Sequence, residues 1–421
     1  MRLVLILQSL KFNPLPDIGG ILSGSIPETE LIKIKLMNYT LRPYQSEASD
    51  KAIEFFKSKK KRNAIMVLPT GSGKSLIIAE IANRLNDHVL IFQPSKEILE
   101  QNFAKLQSYG FWDCSIYSAS FNSKEISKVT FAMIGSVRNK PELFAHFKFV
   151  IIDECHGVNA KGGMYDDFIS ELDCKVLGLT ATPYRLSSDG YGGSILKFIT
   201  RTRPRIFSEM IYHVQIKELA DAGYLAKMEY YQINIVDPTK LQVNATGADF
   251  TDKSVQKHYK DIEFNRKLKE VIERLVKSGR KNILVFTRFV AEAQELSDYF
   301  NGLAEMVSGE TPKKERERIL NDFKSGYIRI VTNVGVLTTG FDFPELATIV
   351  LARPTMSLAL YYQMIGRAMR PHKSKSSAWI VDLCQTYKRF GKVEQLELRA
   401  EKSGIWAIFS GNKQLTNKYY E

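Results

Sequence analysis

Short apolar runs alternate with longer amphipathic stretches through most of this chain. AIMV (64–67), HVLIF (88–92), KVTFAMI (128–134), FKFVII (147–152) and KVLGLT (175–180) are rich in β-branched residues and predict buried strands. Between them, SLIIAEIANRL (75–85) and KEILEQNFAKL (96–106) space their apolar residues as helices do. Strand alternating with helix predicts a parallel sheet with helices on both faces. The pattern recurs over 262–395. There NILVFT, IRIVT, ATIVLA and AWIVDL read as strands, and AEAQELSDYF, KKERERILNDF and LALYYQMIGRAM as helices. The expected fold class is therefore α/β, with two tandem parallel-sheet domains at 39–212 and 262–395. Residues 213–261 read as a connector with extra elements, and 396–421 as a tail. Residues 1–38 set the turn-rich PLPDIGG and GSIPE between LVLIL and LIKIKL, which predicts a small β-rich appendage.

Charge changes this picture more than overall composition does. The 421 residues carry 59 Lys+Arg against 46 Asp+Glu, a net +13 that suits a polyanionic partner. The run KSKKKR (57–62) reads as a solvated helix end or as a phosphate-contacting patch. Cys114, Cys155, Cys174 and Cys384 have neither zinc-ligand spacing nor a disulfide framework, so a reducing, cytoplasm-like compartment is expected. MRLVLIL is too short for a signal-peptide core. No stretch approaches the ~20 apolar residues of a membrane span.

The candidate chemistry begins at LPTGSGKS, comprising Leu68, Pro69, Thr70, Gly71, Ser72, Gly73, Lys74 and Ser75. It follows one predicted strand and opens a helix, the context of a Walker A phosphate loop. Gly71 and Gly73 let the backbone turn its N–H groups inward, and the helix N-terminus adds partial positive charge. Lys74 is placed to reach the β- and γ-phosphates of ATP, and the Ser75 hydroxyl to hold Mg²⁺. Leu68 departs from the general pattern, which begins with Gly. The second half of the site is IIDECHG. Asp153 and Glu154 follow an apolar strand at the edge where parallel sheets place ligands. Asp153 is expected to hold Mg²⁺ through water, and Glu154 to orient the attacking water. His156 has no second His at helical spacing and reads as a coupling contact to the neighbouring domain.

With these strings in place, the chain resembles a superfamily 2 helicase across about 40–385. LRPYQ is similar to the adenine-sensing Q motif, which implies Gln45 as base reader with Arg42 nearby. LPTGSGKS and DECH resemble motifs I and II, the latter of DExH type. FQPSKEILEQN and IGSV resemble motifs Ia and Ib. LTATPYR resembles motif III, which implies that Thr180 and Thr182 link hydrolysis to movement. LVFTRF, TNVGVLTTGFDFP and QMIGRAMR resemble motifs IV, V and VI. The resemblance implies two RecA-like domains. LRPYQ, the Leu-Pro opening of motif I and the compact second domain look most like the XPB/UvsW group of DNA helicases, many of them phage proteins. That group implies remodelling of branched DNA by annealing and branch migration, in the host cytoplasm for a phage protein.

The second domain has no phosphate loop of its own, so it is expected to serve the first domain's nucleotide. Gln363, Arg367 and Arg370 share a helical face, and the two arginines are the candidate fingers. Gly340 and Asp342 should line the cleft, with Asp342 near the ribose. Backbone phosphates are expected at Ser95, Lys96, Gly135, Ser136, Arg288 and Thr332, which position without reading sequence. Arg201–Arg205 form a further basic stretch. Tyr230, Tyr231 and Phe289 read as core packing more readily than as base-stacking platforms. The expected partner is DNA, forked or branched, bound by a monomer. An RNA helicase and a duplex translocase without unwinding are the alternatives.

Overall fold

The computed structural model describes residues 40–419 except 60–61, 160–161, 189–193, 246, 339 and 403. The expected appendage at 1–38, and Lys60 and Lys61 of the basic run, lie outside the described residues.

Among the described residues, ten strands precede residue 214: β1 Ala64–Val67, β2 Val89–Phe92, β3 Cys114–Ser118, β4 Ser123–Lys124, β5 Val129–Ala132, β6 Phe149–Asp153, β7 Lys175–Thr180, β8 Tyr184–Ser188, β9 Ser194–Phe198 and β10 Glu209–His213. Eight of them form one sheet in the order β10-β1-β7-β6-β2-β5-β3-β4. Its pairings are parallel except the short β3–β4 contact. Every residue of β1, β2 and β5 is buried, as expected of parallel strands covered on both faces. The covering helices include Pro43–Lys57, Lys74–Leu85 and Lys96–Ser108.

The second sheet contains β11 Met228–Gln232, β12 Ile283–Thr287, β13 Ala304–Val307, β14 Ile330–Asn333, β15 Thr348–Ala352 and β16 Ala378–Asp382. Its order is β11-β16-β15-β12-β14-β13, all parallel. Residues 213–261, expected as a connector with extra elements, contribute part of the second sheet and its cover. MEYYQ pairs with β16 from Met228↔Ala378 to Gln232↔Asp382 and forms the edge of the second sheet. Helix Asp252–Asp261 packs Val255 and Tyr259 into the same core. These partners lie far along the chain, so local pattern could not assign the segment.

The stretch expected as a tail is also structured. β17 Leu396–Lys402, β18 Ile405–Ser410 and β19 Lys413–Gln414 form an antiparallel sheet, and β20 Lys418–Tyr419 pairs with β9. This sheet follows the second half in sequence but bonds to the first. The Gln215 side chain donates to Leu398 O (2.7 Å) and accepts from Leu398 N (3.0 Å). Arg201 pairs with Glu401 at 3.1 Å. One apolar cluster includes Val67 and Leu225 together with Tyr362, Leu396 and Leu398.

Helix Val290–Tyr299 is capped by Glu292, whose carboxylate accepts from Phe289 N at 3.1 Å. Burial pushes the Glu292 pKa up to about 7, against the opposing pull of the cap amides and Arg288. The folded state therefore holds this proton more tightly than the unfolded chain. Stability falls as pH rises from the ordinary Glu range towards 7, by about 3 kcal/mol. Glu292→Gln keeps an acceptor for the cap but cannot ionise. We expect it to raise Tm at pH 8 and leave Tm at pH 5 nearly unchanged; equal shifts at both pH values in a thermal melt would contradict this.

Candidate active site

The phosphate loop leaves β1 through Leu68, whose N–H bonds Thr180 O at 2.9 Å and so extends the β1–β7 pairing. Pro69 O accepts from Ser72 N at 3.1 Å. Gly71 and Gly73 take left-handed conformations with φ of 83° and 80°. At Gly73 a side chain is excluded twice, because an added Cβ would also sit 2.6 Å from Gln45 Nε2. The helix begins at Lys74, with half-buried Ser75 in its first turn. First-turn amides have no partner within the helix, so the loop presents N–H groups as an anion cradle. Ser72 Oγ is buried and has no hydrogen-bond partner among the described residues.

Helix Pro43–Lys57 braces this loop from behind. Tyr44 Oη and Gln45 Nε2 both donate to Ser72 O, at 2.6 and 2.8 Å. Gln45 Oε1 accepts from Arg42 N at 2.9 Å. Gln45 is 3% exposed. The residue expected to read the base thus engages both ends of its amide inside the protein and positions the loop. The Arg42 guanidinium stacks 4.2 Å above the Tyr224 ring.

Asp153 ends β6, and Glu154 follows in a left-handed conformation (φ 50°), an uncommon state for a non-glycine that belongs with functional sites. Lys74 pairs with Glu154. Burial would lower the Lys74 pKa, but Glu154 and Asp153 together raise it, so the ammonium stays charged. Burial would raise the Glu154 pKa, but Lys74 and His156 hold its carboxyl well below the usual range. Asp153, 5% exposed, behaves oppositely: burial outweighs Lys74 and pushes it up to about 6. Asn102 Nδ2 donates to Asp153 (3.3 Å) and to Gln93 Oε1 (2.9 Å). Neither Asn102 nor Gln93 was expected at the site. The available signal was a polar residue on the buried stripe Leu99–Asn102–Leu106 of helix Lys96–Ser108. Cys155 packs against Gly178, where an added Cβ would lie 2.6 Å from its Sγ.

His156 joins four groups. Its Nδ1 lies 2.9 Å from Thr180 Oγ1, 3.1 Å from Thr182 Oγ1 and 3.3 Å from Glu154. Its Nε2 lies 3.4 Å from Gln363 Nε2, on the other half of the chain. Helix Leu358–Gly366 carries Gln363 and ends with Arg367 as its C-cap, so Arg370 lies beyond the helix. Arg367 donates to Phe341 O at 3.0 Å and to Gln363 O at 3.3 Å. Burial lowers its pKa, with Glu154 opposing. Thr70, Glu154, Thr182, Gly340, Gln363 and Arg367 border one pocket.

Arg370 and Asp342, expected on phosphate and ribose, pair with each other. The Arg370 stem still lies beside the loop, 3.7 Å from an added Cβ at Gly71. Gly340 (φ 72°) packs against Ser95 and Ile98, and its carbonyl lies 3.5 Å from Gln101 Nε2.

Four of the residues expected at a phosphate backbone gather at the C-terminal ends of adjacent strands β2, β5 and β3. Ser95 caps helix Lys96–Ser108 through Ile98 N (3.3 Å). Lys96 Nζ donates to Ser120 O at 2.5 Å, and Ser136 Oγ accepts from Ala119 N at 3.1 Å. Gly135 is exposed beside them. Two others are corrected. The Arg288 side chain is 8% exposed and bonds Asp252 (2.8 Å), Phe250 O (2.6 Å) and Pro354 O (3.3 Å). Thr332 is fully buried and donates to Ala293 O at 3.1 Å. Neither side chain is free to meet a phosphate. Tyr230 is half-buried, with its hydroxyl 2.7 Å from Glu394, and Phe289 packs near Tyr259; Tyr231 is exposed against Trp379. No helix among the described residues is long and apolar enough to cross a membrane.

Two family models match in tandem. Residues 38–185 match the type III restriction enzyme res subunit, and 266–372 the helicase conserved C-terminal domain. The DNA 3'-5' translocase XPB2 of Sulfurisphaera tokodaii is 27% identical over 84% of this chain and 82% of its own length. The ATP-dependent DNA helicase uvsW of Enterobacteria phage T4 is 24% identical over 76% of this chain and 65% of its own. The DNA-bound Type ISP restriction-modification enzyme LlaBIII shares the fold, with TM-score 0.62 and 18% identity over 82% of this chain and 28% of that one. The chain spans about half to two thirds of the first curated relatives it matches. Paired domain matches, on motifs that the fold gathers into one cleft, make this chain similar to superfamily 2 helicases, with relatives of the XPB and UvsW type.

Proposed function

We propose that this protein hydrolyses ATP in the cleft between its two sheet domains, moves along DNA and remodels branched DNA as a monomer. One observation carries the reading: Lys74 and Glu154 from the first half, and Gln363 and Arg367 from the second, converge on a single pocket and its wall. The oxygen donors Ser75 and Asp153 suit a hard cation. Asp153 is held in place by Asn102 and by Glu154 N. These two residues would hold Mg²⁺, which supplies charge neutralisation on the phosphates.

The roles of the remaining groups follow from their charges. The loop amides and Lys74 take the triphosphate, which draws the ammonium from Glu154 and exposes that carboxylate to water. Glu154 is a weak base, so its contribution is to orient the attacking water. Arg367 meets charge developing on the γ-phosphate. His156 touches Glu154, Thr180, Thr182 and Gln363, so a change at the phosphate reaches both halves. Alternating closure then moves backbone grips such as the Ser95–Lys96–Gly135–Ser136 cluster along a strand.

The test is ATP turnover and strand exchange on forks, four-way junctions, D-loops, plain duplex and single strands of both DNA and RNA. DNA should stimulate turnover, with affinity falling steeply as salt rises, and junctions should be resolved only with ATP. Stimulation by RNA alone, or DNA-driven turnover without any strand movement, would replace this reading with one of its alternatives.

A further inference from the structure

Tyr361 and Tyr362 are adjacent on the helix that delivers Arg367, and they anchor it to different halves of the molecule. Tyr361 Oη donates to Gly391 O at 2.8 Å, within the second half. Tyr362 Oη accepts from the backbone N–H of Thr70, in the phosphate loop, at 3.0 Å. The two bonding residues are 292 positions apart in the chain. Successive helical residues project about 100° apart, so one turn reaches both partners.

A second contact falls on the same loop residue. Gly366, one turn after Tyr362, lies against the Thr70 side chain, and an added Cβ there would stand 3.0 Å from Thr70 Cγ2. Positions i and i+4 of one helix face thus meet one residue of the phosphate loop. The next residue is Arg367. Tyr362 is 2% exposed, so its hydroxyl has no water to substitute for the amide. Burial raises its pKa to about 12, with the Thr70 bond opposing. The hydroxyl is therefore neutral at working pH.

We propose that Tyr362 is a positioning residue for Arg367: its hydroxyl, seated on the Thr70 amide, sets the depth at which the motif VI helix docks on the phosphate loop. The proposal rests on the ATPase reading above. Tyr362 touches no reacting atom; it fixes the register between the half that holds the triphosphate and the half that brings the guanidinium. A tyrosine is needed because the ring must fill the space and the oxygen must reach the loop.

The test is a double-substitution cycle in the full chain, read as DNA-stimulated ATP turnover. Tyr362→Phe keeps the ring and should melt within a few degrees of wild type. We expect its kcat to fall about two- to tenfold, the range set by one net hydrogen bond, with KM for ATP within about twofold. In an Arg367→Ala background the same change should have no further effect, because Tyr362 acts through that arginine. Wild-type kcat in Tyr362→Phe, a rise in KM at constant kcat, or losses that multiply in the double variant would each overturn the proposal. A wild type that hydrolyses no ATP with any nucleic acid would instead overturn the ATPase reading beneath it.

Discussion

Glu154→Gln is expected to lower ATP turnover on the order of 10²-fold, the scale of a misplaced reacting group, while ATP remains bound. The substitution preserves shape at a left-handed backbone position (φ 50°) that the chain must keep. It removes the anion that pairs with Lys74. Two consequences follow with opposite signs. The attacking water loses its acceptor, so chemistry slows. The triphosphate no longer competes with a carboxylate for Lys74 and no longer meets a negative charge beside it, so nucleotide affinity holds or improves. Fluorescent-nucleotide binding and single-turnover hydrolysis on the same preparation separate the two. Turnover within tenfold of wild type would remove Glu154 from its role, and lost binding would make it a loop-positioning residue instead.

Arg367→Ala carries the other large effect. An arginine finger contributes on the order of 10³–10⁵ in turnover, and that is the role proposed for Arg367. Its guanidinium is drawn into the pocket by Phe341 O and Gln363 O, and Glu154 borders the same pocket. Its charge should matter as the phosphate oxygens gain charge, more than in the bound ground state. We therefore expect kcat to collapse while nucleotide Kd changes by only a few-fold. Arg367→Lys should not restore it, because a point charge cannot reproduce the planar fork. Arg370→Ala should be milder, since that side chain is paired with Asp342. Near-normal turnover in Arg367→Ala would refute the division of labour between the two halves.

Most of the residues that border the candidate cleft were legible in the sequence because they follow apolar strands. AIMV before LPTGSGKS and FKFVII before DECH each announce a strand end, and parallel sheets put ligands at such ends. What stayed hidden depends on partners far along the chain. Arg288 follows a strand as a phosphate-binding residue would, but Asp249 and Asp252 claim it from more than 35 residues upstream. Thr332 looks like a loop hydroxyl and instead bonds a helix carbonyl inside the core. Gln45 was recognisable as a motif residue, yet its grip on Ser72 O could be seen only once two separate segments met. The strands β3 and β13 are short or polar and alternate weakly, whereas β17 alternates over LELRA but falls in the stretch expected as a tail. Their pairing depends on neighbours, not on their own composition.

The C-terminal sheet gives the molecule a mechanical character that its motifs do not mention. The chain crosses from the first lobe to the second once, then returns through β17–β20 to fasten itself on β9 and Gln215. Two bodies joined at a single point can tumble freely; joined at two, they swing about the line between the joints, as a door does on paired hinges. In the proposed cycle, the strands that return to β9 and Gln215 are a second tether between the lobes, besides the single crossing of the chain.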